Sequence, residues 1–232
     1  MKSCFLDEAN FFPPQLMKVF ILHSSADPTS KTMAELTLDS AIYNTGYEPF
    51  LVNVLDESSG KDFLSNNNIQ LQNGLVQPSP DAISSAASHM ALWNHCAKTD
   101  EAIIVAEHST LFVRNWENPK FEDVLHLNSY NAFTRSNLQG EVSKVGDYSS
   151  MIENHVSRMG FGSPELHGTI SMNGVFAYAI QPHAAKKLIN HVSVNGYSYG
   201  DKLMSQPAIS IETIHPPIAH EQVPSIWRKK FE

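Results

Sequence analysis

The chain has 232 residues, and its 24 acidic and 16 basic side chains give a formal net charge of −8. This surplus of negative charge argues against non-specific binding to nucleic acid or to an anionic membrane surface. The hydrophobic content of 42% is typical of globular proteins, and no apolar run approaches the ~20 residues that a membrane span requires. Cys4 and Cys96 lie far apart and indicate two free thiols in a reducing compartment. We therefore expect a cytoplasmic protein with no transmembrane segment and no nucleic-acid partner.

The first predicted elements form a strand–helix–strand unit. Residues 18–22 and 50–55 are apolar runs of strand length. Between them, Ser30 is a candidate N-cap for a helix that ends at Gly46. Because parallel strands need a crossover connection, this order predicts a parallel sheet.

A second helix pattern leads into a polar strand end. Ser79 is a candidate N-cap with Pro80 at the first helical position. The helix is followed by residues 102–106, a continuous apolar run typical of a buried strand. Residues 107–109, with the sequence Glu-His-Ser, come directly after it. Ligands of open α/β sheets bind beyond the carboxyl ends of the strands, so these three residues are either a metal or nucleotide site or a turn with no ligand.

The remaining segments are predicted from composition and apolar spacing. Residues 56–78 are polar and predict a loop, and residues 128–166 form a long irregular segment that is a candidate substrate-binding loop. Further elements are expected as a short strand at 121–127, paired strands around Gly174 at 169–180, a helix from Pro182 and a short strand at 209–211. We expect one domain over residues 18–232, with an N-terminal extension at residues 1–17.

Several side chains near the predicted strand ends have both a functional and a structural interpretation. His23 and Ser24 follow the first strand, and they either contact a nucleotide or form a turn. His89 and Trp93 lie four residues apart and share one helix face. For this second pair, packing in the core with a hydrogen-bonded histidine is the favoured interpretation.

Two groups nearer the C-terminus are also candidates. Asp201 lies in a loop rich in glycine and tyrosine, where an aspartate serves as a general base, binds sugar hydroxyls or stabilises a turn. His215, His220 and Glu221 either ligate a metal or belong to a solvated tail. The sequence contains none of the common phosphate-loop, hydrolase or zinc motifs.

Five segments and one aspartate, taken in chain order, form a combined pattern. They are Ser-His…Trp at 88–93, the strand 103–107 that ends in glutamate, residues 121–125, residues 174–180 followed by 184–188, Asp201, and Pro216-Pro217 with Gln222. Together they resemble the family 25 glycosyltransferases, which are known for lipopolysaccharide biosynthesis and collagen galactosylation. The resemblance covers roughly residues 18–222. It implies an α/β protein with a single-domain A-type glycosyltransferase fold, whose mostly parallel, Rossmann-like sheet is flanked by helices.

The resemblance also implies a reaction, from which a hypothesis about the site residues follows. The reaction is transfer of a sugar from a nucleotide-sugar donor, expected to be a UDP-sugar, to a glycan or a lipid-linked, lipopolysaccharide-like acceptor. We hypothesise that His23, Ser24, Lys31 and Glu107 bind the donor. Glu107, His108 and His215 are the candidate ligands of a Mn²⁺ ion, and Asp201 is the candidate base that deprotonates the acceptor hydroxyl.

One position departs from the family pattern. Where the family has Glu-Asp-Asp, this chain has Glu107-His108-Ser109, so two carboxylates that hold the divalent ion are replaced. The first alternative is a rebuilt metal site that recruits His215 or His220, and the second is a metal-free transferase with cationic side chains on the diphosphate. The third is a catalytically inactive glycan- or nucleotide-binding protein on the same fold. This inactive protein is the rival from another class, and a further alternative is a generic nucleotide-binding domain that acts as a subunit of a larger assembly.

Overall fold

The computed structural model describes residues 16–69, 79–127, 134–135, 155–159, 170–171, 176–196, 209–215 and 217–222. The helices are α1 (Pro28–Tyr43), α2 (Glu57–Asn66), α3 (Pro80–Thr99) and α4 (Pro182–Asn195). The strands are β1 (Met17–His23), β2 (Tyr47–Asn53), β3 (Ile103–Glu107), β4 (Thr110–Phe112), β5 (Val124–His126), β6 (Thr134–Arg135), β7 (His155–Met159), β8 (Ile170–Ser171), β9 (Ala177–Ile180), β10 (Ile211–His215) and β11 (Ala219–Glu221).

Seven strands form the main sheet, in the order β2-β1-β3-β9-β5-β10-β7. The pairs β1–β2, β1–β3 and β5–β10 are parallel, whereas β9 is antiparallel to β3 and β5, and β7 is antiparallel to β10. Five of the seven strands therefore run in one direction. The predicted α/β class, with a mostly parallel sheet flanked by helices, is confirmed.

The predicted strand–helix–strand unit is present as β1–α1–β2. Val19 and Ile21 of β1 are completely buried, as expected of a strand with neighbours on both sides. The helix begins earlier than predicted, because Asp27 rather than Ser30 is its N-cap and accepts a hydrogen bond from the Thr29 N–H at 2.9 Å. An aspartate directly before a proline satisfies both the cap and the first helical position, which leaves Ser30 inside the first turn.

Gly46 makes the turn from α1 into β2 possible. Its φ is +94°, and a Cβ atom at this position would collide with the backbone carbonyl of Trp116. A side chain at residue 46 would therefore be excluded both by backbone strain and by lack of space.

Helix α3 has the predicted start and packs against α2, α4 and the sheet. The Ser79 hydroxyl accepts from the Ala82 N–H at 3.2 Å, and Asp100 ends the helix with a left-handed φ of 56°. The apolar face of the helix, which includes the completely buried Ala87 and Met90, forms a large part of one core cluster.

Several sequence-based boundaries are wrong in instructive ways. Residues 56–78 include a helix, α2, because Asp56 caps it through the Ser59 N–H at 2.7 Å and Leu64 buries its side chain. Among the described residues of 169–180 the expected pairing is not seen, since β8 pairs with β6 while β9 enters the main sheet. The last predicted strand lies two residues later, as β10, and the predicted loop at 128–166 contains β7, which pairs with β10.

None of the helices in the described ranges is long and apolar enough to cross a membrane.

Candidate functional site

A cleft opens at the carboxyl ends of β1, β2 and β3. The chain passes from β1 to β2 on one side and later enters β3 on the other side of β1, and such a switch in direction leaves a crevice at the end of the central strand. The cleft has a volume of about 400 Å³. Serine residues line it from both sides, together with the ionisable residues His23, Asp27, Asp81, His89, Glu107 and His108. The structure thus brings His23, Ser24, Glu107 and His108 of the predicted site together.

The loop between β1 and α1 forms one wall and is fixed by hydrogen bonds. The Ser24 N–H donates to the Ser30 hydroxyl at 2.9 Å, and the Ser25 N–H donates to Asn53 Oδ1 at 2.8 Å. His23 lines this wall, and its Nδ1 is buried with no hydrogen-bond partner among the described residues. Buried polar atoms are normally satisfied, so this nitrogen is an exception among the described residues.

Helix α3 forms the opposite wall and is tied to the segment that follows β2. The Ser88 hydroxyl accepts from the Leu55 N–H at 2.9 Å and donates to the Ser84 carbonyl at 2.7 Å. The Ser84 hydroxyl in turn donates to the Leu55 carbonyl. These bonds fix the part of the helix that carries Asp81 and His89, both of which line the cleft.

His89 is buried and hydrogen bonded, as the core-packing interpretation predicts, and it also reaches the cleft. Its Nδ1 lies 2.9 Å from the hydroxyl of Tyr178, and the oxygen of that hydroxyl accepts a hydrogen bond of 2.9 Å from the Trp93 indole N–H. Its Nε2 lies 3.8 Å from Oε1 of Glu107. The sequence interpretation did not identify Tyr178 as the partner, because this residue lies 85 to 89 positions away in the chain.

The turn at residues 107–109 connects β3 to β4 and is fixed by hydrogen bonds that involve Thr37 of α1 and Gln222. The Thr37 hydroxyl lies 2.8 Å from the His108 carbonyl and 2.6 Å from the Thr110 carbonyl. The side-chain amide of Gln222 donates to Thr37 Oγ1 at 3.0 Å and to the Thr110 carbonyl at 2.7 Å. The geometry of the polar strand end thus depends on α1 and on the last described segment of the chain. Gln222 was visible in the sequence only as part of the resemblance.

The other predicted site residues are less well defined by the structure. Lys31 is exposed on the first turn of α1 and is not among the residues that line the cleft. His215 belongs to β10, and Asp201 lies outside the described residues. Their roles remain predictions.

The chemistry of the cleft favours some ligands over others. Its described lining contains three carboxylates and no lysine or arginine, a surface suited to hydroxyl groups and cations rather than to a bare diphosphate. Within the described part of the chain, no three His, Cys, Asp or Glu side chains form a group that could hold a metal ion. Glu107 and His108 therefore do not fit a manganese site by themselves, and no step of the chemistry is assigned to a metal.

Comparison with known proteins gives a weak structural likeness. The sequence matches no protein-family model and no curated protein. Among solved structures it is similar to the crystal structure of mouse xyloside xylosyltransferase 1 in its apo form, with a TM-score of 0.40 and 10% sequence identity. The match covers 82% of this chain and 80% of that chain. At this identity and score, the likeness carries no information about the residues of the cleft.

Proposed function

We propose that this protein is a glycosyltransferase of the A-type fold that moves a sugar from a nucleotide sugar, expected to be a UDP-sugar, to a glycan or lipopolysaccharide-like acceptor. The observation that carries the proposal is the convergence of three motif segments at one cleft. His89 and Trp93 come from the first segment, Glu107 from the second and Tyr178 from the fourth, and they form one chain of contacts that ends at the cleft. If these residues only packed in the core, the series of contacts would not need to end at the carboxylate of Glu107, which is 37% exposed.

The location of the cleft supports a nucleotide-sugar ligand. It lies at the switch point beside β1, where open α/β sheets bind nucleotides. The carboxylates of Asp27, Asp81 and Glu107 accept hydrogen bonds from sugar hydroxyls without any proton transfer.

The proposed reaction is an in-line transfer. The acceptor hydroxyl oxygen forms a bond to the anomeric carbon, the bond from that carbon to the diphosphate oxygen breaks, and the hydroxyl proton passes to a base. We assign the base to Asp201, and we assign the donor contacts to His23, Ser24, Lys31 and Glu107. The diphosphate needs positive charge as it leaves. We assign that charge to Lys31; a divalent ion would supply it instead if Glu107, His108 and His215 together hold one.

A thermal-shift titration tests the proposal directly. The purified chain is titrated with UDP-, GDP- and dTDP-sugars, each with and without Mn²⁺. A ligand that binds only the folded state adds about 2.7 kcal/mol of stability at a hundredfold excess over its Kd. We expect one nucleotide sugar to raise the Tm, and a shift that requires Mn²⁺ would support the rebuilt metal site. No shift across the panel would contradict the proposal.

A binding protein without catalytic activity is the second candidate. It is favoured by His108 and Ser109, which stand where the family has two aspartates. The two candidates differ in turnover, because only a transferase releases nucleoside diphosphate when donor and acceptor are both present. Donor binding without any release under these conditions would select the inactive protein.

A further inference from the structure

A chain of polar contacts runs from the protein core to the cleft. Trp93 and Tyr178 are almost completely buried, the side chain of His89 is 9% exposed and that of Glu107 is 37% exposed. The contacts are 2.9 Å from Trp93 Nε1 to Tyr178 Oη, 2.9 Å from Tyr178 Oη to His89 Nδ1, and 3.8 Å from His89 Nε2 to Glu107 Oε1. Exposure therefore rises from Tyr178 through His89 to Glu107.

The inner part of this chain fixes the imidazole of His89. Trp93 has a donor and no acceptor, so the Tyr178 oxygen accepts its hydrogen bond. Because His89 and Trp93 lie one helical turn apart on α3, they contact the same oxygen atom from the same side. The rings of His89 and Tyr178 are also stacked, with centroids 5.9 Å apart and an interplanar angle of 18°. The ring orientation is thus determined by buried groups and not by a ligand.

The outer part of the chain determines which ring nitrogen carries the proton. A carboxylate only accepts hydrogen bonds, whereas a neutral imidazole has one donor nitrogen and one acceptor nitrogen. A lone pair on Nε2 would point towards the negative charge of Glu107 and repel it. A proton on Nε2 removes this repulsion and leaves Nδ1 as the acceptor for the Tyr178 hydroxyl.

From this geometry we infer that His89 is a positioning residue, which presents its Nε2 proton to Glu107 and so holds that carboxylate in its place at the cleft. The separation of 3.8 Å exceeds a direct hydrogen bond. The contact therefore orients the carboxylate while its oxygens stay available to a ligand. The task of Glu107 in sugar transfer rests on the proposed function, whereas the arrangement of His89 does not.

The test is NMR spectroscopy of the full chain without ligand. We expect the ¹⁵N shift of His89 Nδ1 to be that of an acceptor nitrogen and the shift of Nε2 to be that of a protonated nitrogen. E107Q should weaken this preference, because an amide can also donate to Nε2. E101Q is the matched control, since Glu101 pairs with Lys18 before the start of β3, and it should leave the His89 shifts unchanged. A proton on Nδ1 in the wild-type protein would overturn the inference.

Two substitutions of His89 separate positioning from packing. In H89N, the shorter amide can still meet Tyr178 but has no atom at the position of Nε2. In H89Q, the amide nitrogen reaches that position, while the contact with Tyr178 is lost. We expect the carboxyl ¹³C resonance of Glu107 to move in H89N and to stay near its wild-type position in H89Q. An unmoved resonance in H89N, or the same displacement in both variants, would refute the positioning role.

Turnover assays with UDP-glucose and Mn²⁺ as the probe extend the test to function. If His89 acts through Glu107, H89N lowers turnover at least tenfold, and the double variant H89N/E107Q is no slower than E107Q alone. Additive losses would mean that His89 contacts the ligand itself, which contradicts positioning. If the wild-type protein turns over no nucleotide sugar, the proposed function fails, and the NMR result still decides the inference.

Discussion

Tyr178 shows how much can depend on one buried oxygen atom. The hydroxyl serves the indole of Trp93 and the imidazole of His89, and the side chain has no exposed surface. Removing the hydroxyl leaves the Trp93 N–H without its partner in the core. An unpaired buried polar group costs more free energy than one hydrogen bond contributes to stability. The loss of stability therefore comes mainly from the Trp93 N–H, which stays buried without an acceptor.

We expect Y178F to lower the free energy of unfolding by about 1–3 kcal/mol. Tyr43 is the matched control, because it is 89% exposed on α1, and Y43F should stay within about 0.5 kcal/mol of the wild type. Urea denaturation of both variants measures the difference. Equal stability of Y178F and Y43F would show that the shared hydroxyl does not support the core.

At the scale of elements, Asp123 joins β5, α4 and the segment before β10. Its buried carboxylate accepts from the Ser210 N–H at 2.7 Å, lies 3.1 Å from Lys187 Nζ and 2.8 Å from His183 Nε2. Burial by itself raises the pKa of Asp123. The hydrogen bonds from Ser210, Lys187 and His183, together with the charge of Lys187, outweigh burial and hold the pKa below its ordinary value of 3.8.

This shift predicts how stability depends on pH. A group whose pKa is lower in the folded state stabilises the protein above its unfolded pKa, and the contribution is lost as pH falls through the folded value. The contribution of Asp123 is therefore complete above about pH 4 and declines below it. We expect D123N to cost about 2–3 kcal/mol near pH 6 and to show a flatter loss of stability below pH 4. If the free energy of unfolding falls with the same slope below pH 4 in the wild type and in D123N, this role is contradicted.

Thr37 links α1 to the turn at the end of β3. Its hydroxyl is completely buried and lies close to the carbonyls of His108 and Thr110 and to the side-chain amide of Gln222. We expect T37V to lower the free energy of unfolding by about 1–3 kcal/mol and to speed hydrogen exchange in residues 107–110.

The control for this substitution is T32V. Thr32 lies on the exposed face of the same helix and bonds only locally, to the Pro28 carbonyl at 3.0 Å. It should change stability by less than about 0.5 kcal/mol and leave exchange at the turn unchanged. If T37V behaves like T32V, the turn at the cleft does not depend on this network.

The sequence predicted the elements whose signals are local. β1, α3 and β3 follow from an apolar run, an N-cap with proline, and a second apolar run. The helix α2 was missed because its sequence is mostly polar and only Gly60 and Leu64 are buried. The antiparallel insertion of β9 between β3 and β5 was not predictable, since strand direction depends on contacts between residues far apart in the chain.

The same distinction applies to the candidate site. His23, Ser24, Glu107 and His108 were predicted to be near each other because they follow strands of one sheet, and they do line one cleft. Asp27 and Asp81 also line it, yet in the sequence they have the ordinary signature of helix starts. Tyr178 lies within a segment that the resemblance singled out, but only the folded chain shows that its hydroxyl meets His89.

For the whole molecule, the sheet topology and the charge give complementary constraints. The order β2-β1-β3 places the cleft at the switch point, whereas the net charge of −8 and the carboxylates of the cleft disfavour a bare anionic ligand. The proposed nucleotide-sugar donor carries hydroxyl groups as well as a diphosphate, so the proposal requires the sugar to lie at the carboxylates and positive charge to lie near the phosphates.

The most direct measurement is the release of nucleoside diphosphate from a panel of nucleotide sugars by the wild-type protein, E107Q and the control E101Q, with and without Mn²⁺ and a glycan acceptor. We expect the wild type and E101Q to release product from one donor. E107Q should lower kcat/KM about a hundredfold without a large change in Tm, because Glu107 is partly exposed. Equal rates for wild type and E107Q, or no release from any donor, would contradict sugar transfer at this cleft.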